Sequence, residues 1–186
     1  LLLLEGLAGV ACEPAVLAGY EAAVAALALP VASLALPEQP TAIRIAALAG
    51  SVRHLIGELG PHRAEASAEL SFILDALAPL PANPALLASV KDMLIGALGD
   101  DGVLLMPTAP QTAFAHGARA PANQADFTGL ANIAGLPSLA VPSGWSADGL
   151  PVSVQLVGPA GSERRLIGLA RQLDAALNQY RPPKAE

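Results

Sequence analysis

Between Phe127 and Gly158 lie two apolar runs too short for helices, facing each other across a turn, and a chain built around them has to make a sheet. Ser138 to Val141 and Val152 to Val157 read as strands, and Ser143 to Leu150 reads as the connection, with Asp148-Gly149 supplying the turn that brings the chain back. The near-continuous apolar character of both runs predicts burial on both faces, as in a sheet covered by helices on each side. Just ahead, Phe127 to Ala134 has the length and pattern of a short helix. Gly135-Leu-Pro137 stops it, with Gly adopting left-handed geometry and Pro forbidding continuation.

The remaining elements fit the same layered plan. Leu1 to Leu4 predicts a buried strand, and Glu13-Pro14 opens a helix through about Ala28 with Val16, Tyr20, Val24 and Leu27 on its apolar face. Val31 to Leu36 follows as a second strand, closed by Pro37 and Pro40; strand, helix, strand in this order favours a parallel pair. Helices are then expected over Thr41 to Leu59, Ala64 to Ala78 and Pro84 to Leu98. A short buried strand is expected over Val103 to Met106 and an irregular loop from Pro107 to Gln124. Ser162 is placed to cap a last helix with Glu163 in its first turn and Leu166, Leu169, Ala170, Leu173 and Leu177 as its buried stripe. With no repeat, low-complexity tract or linker, residues 1–186 read as one α/β domain, a mixed sheet flanked by helices.

Composition narrows the function. At 53% hydrophobic and 14% charged, with a mean hydropathy of +0.50, the chain is too apolar for disorder. Aromatics are only 3%, so the core has to be built from Leu, Val, Ile and Ala. The net charge is −6 and the ten Lys and Arg form no run, which argues against a nucleic-acid partner, because a phosphate backbone needs clustered cations. The single Cys12 excludes an internal disulfide and any cysteine-based zinc site, and fits a cytoplasmic location. Leu1 to Leu4 followed by Leu7 to Cys12 mimics an export signal, but Glu5 interrupts it and no basic region precedes it. The run is also too short to span a membrane, and reads better as a strand cut from a longer chain.

Catalytic chemistry is hard to find. A hydrolase needs a nucleophile, a base within hydrogen-bond reach and donors for an oxyanion. His54, His62 and His116 read as solvated residues, and Ser138 and Ser143 lack the Gly-x-Ser-x-Gly elbow and an activating base. Lys91 and Lys184 read as surface cations, Asp100-Asp101 as a solvated turn, and Cys12 as a helix-entry residue against the core rather than a low-pKa thiol. No metal set and no phosphate-cradling glycine loop stands out, and no cofactor is expected.

The segment Val103-Leu-Leu-Met-Pro-Thr-Ala-Pro110 resembles the strand and proline-rich exit of the amidase-signature family of amide hydrolases. Phe127-Thr128, Asn132, Gly135-Leu-Pro137, Val141-Pro142 and Gly144 are similar to that family's next helix and strand. Gly149-Leu-Pro151, Gln155, Gly158 and the Ser162 helix are similar to its closing elements, and Leu1 to Leu36 to the strand–helix–strand after its signature region. The resemblance implies the second, carboxy-terminal half of an amidase-signature fold. It also implies amide C–N hydrolysis by a serine nucleophile, a second serine in a cis peptide and a lysine base, all upstream of the segments seen here, so no catalytic residue is expected in this chain. The partners implied are a small-molecule amide and an upstream half or partner chain, with no nucleic acid and no membrane.

Within the family the short helix lines the acyl pocket, which implies substrate contacts at Thr128 and Ala131. Several departures accompany the match. Ser153 stands where glycine is frequent, Lys91 roughly where arginine is frequent, and the region Gly57 to Leu98 is short, which would thin one cleft wall. The amidotransferase branch carries an acid three positions before the threonine; here that position is Ala125, with Asp126 one place off, which argues against a glutamine-using tRNA amidotransferase component. Two other readings remain, a non-catalytic remnant or interaction subunit, and an independent serine hydrolase using Ser138 or Ser143 with His116. The second is poorly supported without an elbow or an ordered triad.

Overall fold

A computed structural model describes residues 1–182; residues 183–186 fall outside the described residues, and with them the surface-cation reading of Lys184. The strands are β1 (Leu2–Leu4), β2 (Ala32–Leu34), β3 (Leu104–Pro107), β4 (Ser138–Trp145) and β5 (Pro151–Val157). They form one mixed sheet in the order β2-β1-β3-β5-β4. β1 runs parallel to both β2 and β3, with Leu2 opposite Ala32 and Leu104, while β5 is antiparallel to both β3 and β4. The predicted strand–helix–strand crossover is therefore parallel, and the two apolar runs around the Asp148-Gly149 turn form the antiparallel pair β4–β5.

Helices cover both sides. They are α1 (Pro14–Leu27), α2 (Pro40–Leu59), α3 (Ala68–Leu77), α4 (Pro84–Leu98), α5 (Asp126–Ala134) and α6 (Glu163–Leu177). Because strand side chains alternate, β3 feeds two cores: Leu104 and Met106 meet Ile43, Leu94, Phe127 and Leu130 from α2, α4 and α5. Val103 and Leu105 on the opposite face meet Ala23 of α1 and Leu166 and Leu173 of α6. All four residues of β3 are buried, as expected for a central strand. Each fully buried leucine contributes about 2 kcal/mol, so the two apolar cores are the main force holding the three layers together.

Several local expectations need correction. The helix expected over Ala64 to Ala78 is divided: a 3-10 segment spans Gly60–Glu65, and α3 starts only after Ser67, whose Oγ accepts from the Leu70 N–H at 3.2 Å. A serine that offers its hydroxyl to the third following amide starts a helix rather than continuing one. Ser162 does occupy the N-cap position of α6 but makes no side-chain cap; its hydroxyl oxygen is buried without a partner. β2 is shorter than Val31 to Leu36, and β4 runs on to Trp145 with a bulge between Pro142 and Gly144. β4 is an edge strand, so burial alternates along it instead of covering both faces, and Pro142, which has no N–H, is tolerated there.

Leu1 to Leu4 leads into a turn that the apolar pattern does not predict. Glu5–Gly9 forms a 3-10 segment in which Gly6, Leu7 and Ala8 have left-handed backbones, with φ of 49°, 46° and 52°. Leu7 packs against the core formed by α2, α4 and α5, which holds the turn in place. Among the described residues no helix is long and apolar enough to cross a membrane.

Candidate functional site

The short helix α5 ends as its sequence demands. Gly135 adopts φ 67° and ψ 36°, and its N–H closes onto Ala131 and Asn132 carbonyls before Leu136-Pro137 leads into β4. Seated between α2 and α4, α5 forms one side of a groove of about 450 Å³. Arg44, Leu48 and Ser51 of α2, Leu87 of α4, and Thr128 and Asn132 of α5 line it. Most of this lining is apolar, with a guanidinium, two hydroxyls and an amide set into it, the composition expected of a small-molecule site.

An internal ion pair ties that wall to α2. Asp126, at the first position of α5 and 1% exposed, accepts from Arg44 Nε at 2.7 Å and from the Thr41 hydroxyl. Arg44 Nη2 also donates to the carbonyl of Ala122, which ties the loop before α5 to α2. Thr41 and Arg44 lie one turn apart on α2, so a single helix face supplies both donors. The carboxylate at Asp126 therefore points into the helix interface, while Ala125, the position where the amidotransferase branch carries an acid, lines the groove. From sequence, Asp126 stands out only as displaced from that position. Its partners lie over eighty residues earlier in the chain, and no local pattern links them.

The other residues singled out from sequence scatter. Thr128 lines the groove, its hydroxyl 3.4 Å from the Ala125 carbonyl, whereas Ala131, 2% exposed, sits on the core side of α5 beside Leu130. Ser138 is exposed at the start of β4, and His116 is exposed in the loop between β3 and α5. The buried Ser143 hydroxyl has no hydrogen-bond partner and lies against Gly19 of α1, where an added Cβ would be 2.7 Å from it. His62 pairs at 2.9 Å with Glu65 on an exposed turn, and His54, Lys91, Asp100 and Asp101 are exposed. Burial pushes the Cys12 thiol above its ordinary pKa, so at neutral pH it is a protonated thiol packed at the entry to α1. Among the described residues no three His, Cys, Asp or Glu side chains cluster as a metal site would require.

A central mixed sheet under two helical layers, with an apolar groove beside a short glycine-ended helix, defines an α/β architecture of the amidase-signature kind. Residues 82–167 match the model of the amidase family. A glutamyl-tRNA(Gln) amidotransferase subunit from Synechococcus sp. (strain CC9605) is 45% identical over 83 residues, 42% of this chain and 17% of that protein. In fold, the chain is similar to the corresponding glutamyl-tRNA(Gln) amidotransferase subunit of Thermotoga maritima, with a TM-score of 0.68, 24% identity, and coverage of 93% of this chain and 41% of that one. It is also similar to a bacterial aryl acylamidase of the amidase-signature enzymes, with a TM-score of 0.65, 20% identity, and coverage of 98% and 46%. Residues 82–167 are thus similar in sequence to the amidase family, and nearly the whole chain is similar in fold to amidase-signature structures. The aligned stretch spans under a fifth of the length of the curated relatives it matches.

Proposed function

We propose that this chain is the supporting half of an amidase-type hydrolase, one α/β domain of a larger catalyst that cleaves the C–N bond of a small carboxylic amide. The serine nucleophile, the cis-peptide serine and the lysine base come from sequence upstream of the segments described here. The serine attacks the amide carbonyl, the amine leaves, and water releases the acid from the acyl-enzyme. Strands β1 to β5 act as scaffold, and α5 with α2 and α4 forms one wall of the acyl pocket, with Thr128 at the substrate and Ala131 beneath it. The whole works in the cytoplasm, needs no cofactor, and binds neither nucleic acid nor membrane.

The observation that carries this reading is the coincidence of two features: the stretch matching the amidase family contains α5, β4 and β5, and the groove opens on α5. The amidotransferase names of the relatives support amide chemistry in the same fold, while Ala125 on the groove wall argues for an amide other than glutamine. Hydrolysis of a chromogenic amide tests it. The chain alone is expected to be inactive and the chain joined to its upstream half active; a joined protein without turnover leaves the non-catalytic reading. Turnover by the isolated chain, lost on Ser143→Ala or Ser138→Ala, would instead establish an independent serine hydrolase.

A further inference from the structure

The groove's charges identify the kind of group it takes. Among the described residues Arg44 is the only ionisable side chain lining it, and that guanidinium is already compensated by the fully buried Asp126 carboxylate at 2.7 Å. A carboxylate entering the groove would meet an ion pair of no net charge rather than a free cation, and would lose its hydration for little return. An ammonium group would fare no better, because the one carboxylate nearby is turned into the α2–α5 interface and covered. An uncharged acceptor has a partner. Arg44 spends Nε on Asp126 and Nη2 on the Ala122 carbonyl, while Nη1 has no protein acceptor among the described residues and the side chain keeps 16% of its surface open.

We propose that this groove takes an uncharged chain or ring that is apolar along its length and carries one hydrogen-bond acceptor, held by Arg44 Nη1 with Asn132 beside it. Leu48 and Leu87 provide the apolar flanks. The proposal deepens the amidase reading above and rests on it, since it assigns the substrate's acyl portion as neutral and apolar rather than amino-acid-like. Selectivity comes from Asp126, which holds the guanidinium in place and cancels its charge, so that Arg44 acts as a dipolar donor and not as an anion trap.

The test is a titration of the full 186-residue chain, isotope-labelled, with hexanamide, hexanoate and hexylammonium in turn, followed by amide NMR shifts. Hexanamide is expected to move Thr128, Gly129 and Asn132 and to bind about tenfold more tightly than either ion. Ser51→Trp fills the groove without touching the ion pair and is expected to abolish those shifts. Arg44→Lys, which keeps the charge opposite Asp126 but removes the forked donor, is expected to weaken hexanamide about fivefold. Tighter binding of either ion, shifts away from α5, or no binding at the solubility limit overturns the proposal. Amide hydrolysis by the joined protein is scored separately. Turnover with an ionic preference leaves the amidase reading and removes this one; a hexanamide preference without turnover does the reverse.

Discussion

At the residue scale, the most consequential side chain is Asp126, which links α5 to α2 through Arg44 and Thr41 while fully shielded from water. Removing one partner of such a pair strands the other. Asp126→Ala is therefore expected to cost about 3–5 kcal/mol in urea denaturation, more than truncating an exposed salt bridge such as Arg63–Asp75. The contact between Gly19 and Ser143 makes a second prediction. A methyl group at Gly19 would sit 2.7 Å from the Ser143 hydroxyl and 3.1 Å from Val152, so Gly19→Ala should destabilise by about 1–3 kcal/mol. Ser143→Ala removes an unpartnered buried hydroxyl and is expected to be neutral or stabilising by up to about 1 kcal/mol, and it should partly rescue Gly19→Ala in a double-mutant cycle. Cys12 tests burial directly. With its pKa raised by desolvation, alkylation by iodoacetamide should reach half its maximal rate at a higher pH than for free cysteine.

At the scale of elements, the two capped helices show how local chemistry decides boundaries. Ser67 starts α3, and Asn83 starts α4 by accepting from the Leu86 N–H at 3.0 Å. Ser67→Ala should lower stability by about 1 kcal/mol and speed amide exchange in the first turn of α3. Glu69 in that turn adds a pH signature. Its own backbone N–H and then the Ser67 hydroxyl hold its pKa below the ordinary carboxylate value. A depressed carboxylate pKa stabilises the fold above its unfolded value, and that contribution is lost as the pH falls through the folded one. The protection of amides at the start of α3, taken relative to their intrinsic exchange rates, should therefore fall on acidification below the ordinary carboxylate range, and this pH dependence should shrink in Ser67→Ala. Unchanged protection in both would show that the cap carries no weight.

At the scale of the whole molecule, the sheet brings together strands that lie far apart in the chain. Leu2–Leu4, Ser138–Val141 and Val152–Val157 lie in the same sheet, and β3 contributes to both cores. Trp145, the only tryptophan, sits at the end of β4 with its indole N–H donating to the Gln179 carbonyl at 3.0 Å and Arg181 stacked 4.5 Å above its ring. Its fluorescence therefore reports on the sheet edge and the segment after α6 together. If the chain is one cooperative domain, Trp145 fluorescence and helical circular dichroism should give coincident urea transitions. Separated midpoints would mean that the α2–α4 layer unfolds independently of the sheet.

Much of this architecture follows from residue order. Apolar runs bounded by Gly and Pro specify β1, β3, β5 and the ends of α1, α4 and α5, because helix stops, turns and buried strands depend on neighbours a few positions apart. Thr128 lies on a short, well-bounded helix, and it lines the groove because of where that helix packs. The left-handed turn at Gly6 to Ala8 was not legible, since Leu7 and Ala8 adopt that backbone only where packing imposes it. Nor was the break at Ser67, where a cap competes with a helical pattern that continues through it. The sequence by itself determined which segments become strands and helices and that they form layers. Only the tertiary structure decided which face each helix covers, that Asp126 turns inward to Arg44, and that the groove beside Thr128 carries no net charge, because those outcomes depend on contacts between residues far apart in the chain.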